Sequence, residues 1–238
     1  MIGSIACMGG VSAWLRSSQP EPLVAGCELG WTCNERIGHP IQARAPDIQS
    51  LRYWSSCLKG QWCRAFEKTH GNFLRILDIE TQLEALEALV QYYDPPARCF
   101  TFRDFQLAPT LEEYERLLGL PLTKSAQYFH QDQPPSWAMI AGLLRVPEAE
   151  MAKAKRNRND LEGLPKVYLE QRLCQLQEEE EWPAVMDVLV LLLYGILLFP
   201  QVEDFVDLIA IKVFMAERDR WENPTMAVLA NTYYTLNH

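Results

Sequence analysis

Apolar residues recur at helical spacing along most of the chain after residue 50. Trp54, Leu58 and Trp62 lie four positions apart, and such spacing is typical of an amphipathic helix. Alternation with a period of two is nearly absent, apart from a short β-branched and aromatic run around residues 99–102. The pattern therefore predicts a mainly α fold, a single irregular helical domain with at most a short strand or hairpin near residues 99–107.

Residues 98–122, RCFTFRDFQLAPTLEEYERLLGLPL, contain the most complete set of local helix signals. Thr110 and Glu113 have the spacing of a capping box, in which each side chain accepts a hydrogen bond from the other residue's backbone N–H. Gly119 suits the left-handed position that ends a helix, and Pro121 prevents its continuation. The predicted helix is only about two turns long, so packing must hold it. Its apolar stripe comprises Leu111, Tyr114, Leu117 and Leu118.

The longest apolar run, VLVLLLYGILLF at residues 188–199, predicts a buried apolar helix at the centre of the domain. A bilayer span needs about 20 residues, so a membrane-associated helix is only the alternative. Trp182-Pro183 mark the start of this helix. A further amphipathic helix is predicted at residues 201–220, and Asn223-Pro224 precede a last one.

Two other helical signals complete the pattern. Thr81 and Glu84 repeat the capping-box spacing before a helix that Pro95-Pro96 end. Residues 161–181 contain an apolar stripe that lasts about two heptads, which leaves a coiled coil open as an alternative. That stripe comprises Leu169, Leu173 and Leu176.

The first 50 residues contain Gly, Pro and Ser without a sustained apolar period, which predicts a weakly ordered leader before a domain of residues 51–238. The net charge of -9 opposes non-specific attraction to nucleic acid and to anionic membranes. Seven cysteines without a C-x-x-C pair favour reduced thiols in an intracellular protein. The alternative is a metal site, although the spacing is wider than structural zinc sites use. Its candidate ligands are Cys27, Cys33, Cys57, Cys63 and His70.

The sequence lacks the usual catalytic motifs, including G-x-S-x-G, Walker A and H-E-x-x-H. A metal-dependent nuclease would need about three converging carboxylates. The candidates are Asp187, Glu203, Asp204 and Asp207. Acidic residues near helix starts also favour the helix dipole and usually face water. We therefore predict no enzyme activity and no cofactor.

One compact basic run lies within residues 153–158. Its members are Lys153, Lys155, Arg156 and Arg158. Four positive charges within six residues could contact phosphates or serve as a weak nuclear-import signal. The alternative, which is favoured, is a solvated helix face.

Three blocks of the chain carry a family resemblance: FTFRDFQLAPTLEEYERLLGLPL, then LLLYGILLFP followed by FVDLIAI, then NPTMAVLANTYYTL. They resemble the plant mobile domain family, also named the aminotransferase-like plant mobile domain, and within it an uncharacterised retrotransposon-associated branch common in legumes. The resemblance covers residues 51–238. Its signature residues are Phe102, Phe105, Thr110, Glu113, Tyr114, Leu118, Gly119, Pro121, Pro200, Asn223, Pro224, Tyr233 and Tyr234.

The resemblance implies a transposon-derived helical domain in a family with members connected to nuclear silencing and genome maintenance. It implies no transaminase activity. It also implies that the domain is truncated after its last helix, since the family domain continues beyond that block. We therefore predict a non-catalytic module that binds protein partners, and nucleic acid only weakly. The alternative is a decayed metal-dependent nuclease or transposition-related enzyme.

Overall fold

The computed structural model describes residues 45–129 and 133–237, together with the backbone of two paired strands, β1 (Arg16–Ser17) and β2 (Ile41–Gln42). Most of the predicted leader therefore lies outside the described residues. The first half of the domain contains α1 (Gln49–Cys57), α2 (Gln61–His70), α3 (Phe73–Ile76), α4 (Leu83–Val90), β3 (Tyr93–Asp94), β4 (Cys99–Thr101), β5 (Gln106–Leu107) and α5 (Leu111–Leu118). The second half contains α6 (Trp137–Leu144), α7 (Glu148–Ala154), β6 (Arg156–Arg158), β7 (Leu161–Pro165), α8 (Lys166–Glu178), α9 (Trp182–Leu193), a π-helix (Tyr194–Leu198), β8 (Phe205–Asp207), α10 (Leu208–Arg220) and α11 (Thr225–Leu236).

The centre of the core is α9 and the π-helix that continues it. Residues 188–194 are fully buried, and α1, α2, α6, α8 and α10 pack around them. The predicted buried apolar helix is therefore confirmed. Gly195 faces β8 so closely that an added Cβ would lie 2.5 Å from Val206 Cγ2. Only a residue without a side chain lets the π-helix and the strand approach to this distance.

The prediction of a mainly α fold is wrong, because the described residues contain two three-stranded antiparallel sheets among the helices. One sheet has the order β3-β4-β5 and the other β6-β7-β8. In the second, Arg156 pairs with Gly163, and Gly163 in turn pairs with Asp207. These strands are two to five residues long, and β8 is buried throughout. Strands this short give no sustained alternating pattern.

Three helix predictions need correction. The predicted capping box of Thr81 and Glu84 is absent: α4 begins at Leu83 without a side-chain cap. The predicted helix over 201–220 begins only at Leu208, because residues 205–207 pair as β8. The stripe considered for a coiled coil lies on α8 and is wholly buried in the core of the same chain.

The helix predicted at residue 110 is confirmed in detail. Thr110 Oγ1 accepts the N–H of Glu113 at 3.3 Å, and Glu113 Oε2 accepts the N–H of Thr110 at 3.2 Å. Gly119 ends α5 in the left-handed conformation with φ of 68°. Within the described residues, none of the helices combines the length and apolar character that a bilayer crossing requires.

Candidate functional site

Three of the four carboxylates that the sequence suggested for a metal site have separate partners. Asp187 accepts a hydrogen bond from Arg218 Nε at 3.0 Å, and burial raises the pKa of this carboxyl. Asp207 Oδ1 caps α10 by accepting the N–H of Ala210 at 2.8 Å, and burial raises its pKa to about 6. Asp204 pairs with Lys166, and Glu203 is exposed. Among the described residues, no three potential metal ligands come together.

The cysteine metal site that was the alternative to reduced thiols is likewise not assembled within that part of the chain. Cys57 and Cys63 are free and half-buried. His70 instead contacts a buried carboxylate described below. Cys27 and Cys33 lie outside the described residues.

The basic run is divided between the end of α7 and strand β6. Lys155 Nζ lies 5.6 Å from the centre of the Trp137 ring, and the Arg158 guanidinium lies 5.5 Å from that of Phe205. Arg156 donates to the carbonyl oxygens of Lys153 and Lys155. The run therefore does not form a helix face. Three of its four cations contact aromatic rings or carbonyl oxygens of the same chain. Nucleic-acid contact by these residues stays a prediction.

The signature residues join two distant parts of the chain. The Tyr114 hydroxyl on α5 lies 2.6 Å from Thr232 Oγ1 on α11, and Tyr233 donates to the carbonyl oxygen of Pro109 at 2.8 Å. Asn223 Nδ2 donates to the carbonyl oxygens of Leu120 and Pro121. The first and last blocks of the resemblance thus form one packed unit.

Sequence reasoning missed two buried cations on α8. Lys166 is 5% exposed and donates to the Asp47 carbonyl oxygen at 3.0 Å. Arg172 donates to the carbonyl oxygens of Leu144 and Arg145 at the end of α6. The two Arg172 bonds satisfy carbonyls at the C-terminal end of α6 that would otherwise lack partners. The sequence contained one signal that Arg172 is buried, because it lies among the apolar stripe residues 169, 173 and 176.

A third buried group, Glu217 on α10, lies at the centre of a polar network. Its Oε1 is 3.2 Å from His70 Nδ1, and its Oε2 accepts the Tyr194 hydroxyl at 2.8 Å. Burial and the nearby carboxylate raise the pKa of Tyr194 well above its ordinary value, so the phenol remains a donor. The two bonds satisfy both oxygens of a carboxylate that is 8% exposed.

His70 and Glu217 border a cleft of about 430 Å³ between α2, the turn after α5 and the end of α10. We call it the Trp221 cleft, because the Trp221 side chain stands at it and is 69% exposed. Its charged lining comprises Lys68, Lys124, Asp187, Glu217, Arg218 and Glu222. Four signature residues also line it: Gly119, Pro121, Asn223 and Pro224.

A second surface follows the outer side of α11. The helix has no charged residue in its twelve positions. Met226, Ala230 and Tyr234 are exposed and recur every four residues, so they form one stripe. An apolar groove of about 520 Å³ with Phe129 and Ile209 in its walls lies on one side of the stripe. A second groove of about 490 Å³, lined in part by Arg98 and Leu111, lies on the other side.

We call this stripe with Phe129 and Ile209 the α11 surface. Phe129 is 67% exposed, Tyr234 55% and Ile209 50%. Single exposed apolar residues are ordinary on protein surfaces, but a contiguous set beside grooves is typical of a binding site. A helix at the surface ordinarily turns charged or polar residues to solvent, whereas this stripe turns Met226, Ala230 and Tyr234 outward.

These features define a mixed α/β domain with an apolar helix at its centre, an exposed apolar helix face and a separate polar cleft. Residues 51–238 match the family model described as a domain of unknown function, DUF7745, and the chain belongs to that family. No curated protein and no solved structure matches it.

Proposed function

We propose that this chain is a non-catalytic protein-interaction domain whose α11 surface binds an amphipathic helix of a partner protein. The observation that carries the proposal is the uncharged α11, with its exposed stripe between two apolar grooves. A partner helix with an apolar residue at every third or fourth position would place its ridge in one of these grooves.

The net charge of the chain indicates which charged residues the partner helix carries outside its apolar face. The net charge of -9 attracts a basic partner during approach, and α11 itself adds no charge that the apolar contact would have to desolvate. The proposed occupant is therefore a helix with an apolar face and lysine or arginine on its other positions.

The experiment measures fluorescence anisotropy of a labelled helical peptide with leucine at every third or fourth position and lysine elsewhere. A peptide of the same composition with scrambled leucines is the reference. We expect the amphipathic peptide to bind at least about tenfold more tightly than the scrambled one, because only the former presents a continuous apolar face.

Ala230→Arg tests the surface itself, since it adds bulk and positive charge at the centre of the exposed stripe. The matched control is Ala152→Arg, which changes an exposed alanine of α7. Ala230→Arg should weaken peptide binding about tenfold, a loss of about 1.4 kcal/mol, and Ala152→Arg should leave it unchanged. Equal binding of both peptides, or no effect of Ala230→Arg, would contradict the proposal. A homodimer that Ala230→Arg dissociates, seen by light scattering, would assign the surface to a second copy instead.

A narrower proposal rests on the resemblance to the plant mobile domain family. On that basis we propose that the domain is transposon-derived and that its partners belong to nuclear silencing. The proposal predicts nuclear accumulation of a fluorescent fusion in plant cells, and exclusion of the fusion from the nucleus would oppose it.

A further inference from the structure

We infer that the Trp221 cleft binds a small aromatic phosphate monoester of the mononucleotide class. This site is separate from the α11 surface and does not depend on the proposed interaction function. The cleft measures about 430 Å³, which lies in the range of pockets that hold small organic ligands. Two of its lining side chains, His70 and Glu217, are more than nine-tenths buried.

The carboxylates of the cleft are already neutralised by neighbouring donors. Asp187 accepts from Arg218, and Glu222 accepts from Arg220 Nε at 2.6 Å. Glu217 is satisfied by Tyr194 and contacts His70. Each of these acidic groups therefore already has at least one hydrogen-bond donor within the chain.

The charges that remain open in the cleft are positive. Lys68, in the last turn of α2, and Lys124, in the turn after α5, both line the cleft and are exposed. Neither has an ion-pair partner within the described part of the chain. In an acidic protein, two unpaired lysines beside one cleft favour an anion of concentrated charge, such as a phosphate monoester with about -1.5 to -2 charges at neutral pH.

Trp221 provides an exposed aromatic ring at the cleft. It ends α10 in the left-handed conformation with φ of 58°, a position where glycine is usual and a bulky residue is strained. Its N–H and that of Glu222 donate to α10 carbonyl oxygens, which fixes the backbone. A large indole held in a strained position and left exposed beside a cleft is a stacking surface for a planar ring.

The test is isothermal titration calorimetry of the full chain at low salt with AMP, adenosine, inorganic phosphate and a phosphoserine peptide. We expect AMP to bind at least about tenfold more tightly than each of the other three, because only AMP supplies both the phosphate and the planar ring. Lys68→Gln/Lys124→Gln should weaken AMP binding about tenfold and leave adenosine binding unchanged. Lys59→Gln/Arg64→Gln, which removes two positive charges that do not line the cleft, should have no effect on either.

Trp221→Gly separates loss of stacking from loss of folding. Glycine relieves the strain at this position, so the variant should be at least as stable to heat as the wild type while binding AMP about tenfold more weakly. Adenosine or phosphate binding as tight as AMP binding would overturn the inference, and so would the absence of AMP binding. Unchanged affinity in the lysine or the tryptophan variant would also overturn it. Tighter binding of the phosphoserine peptide would assign the cleft to phosphorylated proteins instead.

Discussion

Replacing Tyr194 by phenylalanine removes one hydroxyl from the centre of the core and leaves the ring in place. The ring packs against Phe73, Phe199 and Phe214, with centroid distances of 5.6, 6.0 and 5.7 Å. Phenylalanine keeps these contacts, so the change isolates the hydrogen bond to Glu217 Oε2. That oxygen then lacks its donor in a residue that is only 8% exposed.

The magnitude follows from the kind of bond that is lost. A hydrogen bond to a charged group contributes about 1.5–3 kcal/mol, and a buried acceptor left without a partner costs a similar amount. We therefore expect Tyr194→Phe to lower the free energy of unfolding by roughly 2 kcal/mol. For a domain of this size, that loss corresponds to a fall in Tm of about 4–8 °C.

The free energy of unfolding is measured by urea unfolding followed by circular dichroism. Two other tyrosines provide a graded comparison in this assay. Tyr114→Phe removes a buried bond to the neutral Thr232 hydroxyl and should cost about 1 kcal/mol. Tyr53→Phe changes a residue that is 60% exposed and should stay within about 0.5 kcal/mol of wild type. If Tyr194→Phe were no more destabilising than Tyr53→Phe, the role assigned to the Glu217 network would be refuted.

Three further predictions concern other parts of the chain. Thr110→Ala should lower the free energy of unfolding by about 1 kcal/mol through loss of the α5 cap, and an unchanged urea midpoint would contradict this. Burial raises the pKa of Asp207 to about 6, so wild type should lose stability relative to Asp207→Asn as pH rises from about 4 to about 6; a pH-independent difference in Tm would oppose this. Gel shifts at about 150 mM salt should show no submicromolar sequence-dependent binding of DNA or RNA, because most of the basic run already contacts the fold. Submicromolar, sequence-dependent binding would contradict this prediction if it were abolished by neutralising Lys153, Lys155, Arg156 and Arg158.

The parts of the fold that sequence predicted are those specified by neighbouring residues. The start and end of α5 depend on Thr110, Glu113 and Gly119, which lie within one short segment, and all three behave as predicted. The burial of residues 188–199 follows from their composition alone. The sheet of β6, β7 and β8 was missed because its formation depends on Gly163 meeting Asp207 from a distant part of the chain.

The candidate sites were harder to predict for the same physical reason. Glu217 contacts His70 across 147 residues of sequence, and nothing local to either residue indicates the other. One signal was available, since Glu217 occupies a position on α10 three and four residues after the buried Phe214 and Val213. The α11 surface gave no such signal, because an uncharged apolar helix predicts burial and its exposed side depends on the neighbouring elements.

The packing of α5 against α11 sets the order in which the protein can fold during synthesis. Tyr114 and Thr232 are separated by 118 residues, so the ribosome needs on the order of ten seconds to produce the second after the first. Throughout that interval α5 is too short to be stable by itself. A nascent chain that stalls within it therefore presents the apolar side of α5 to chaperones and proteases instead of to its own last helix.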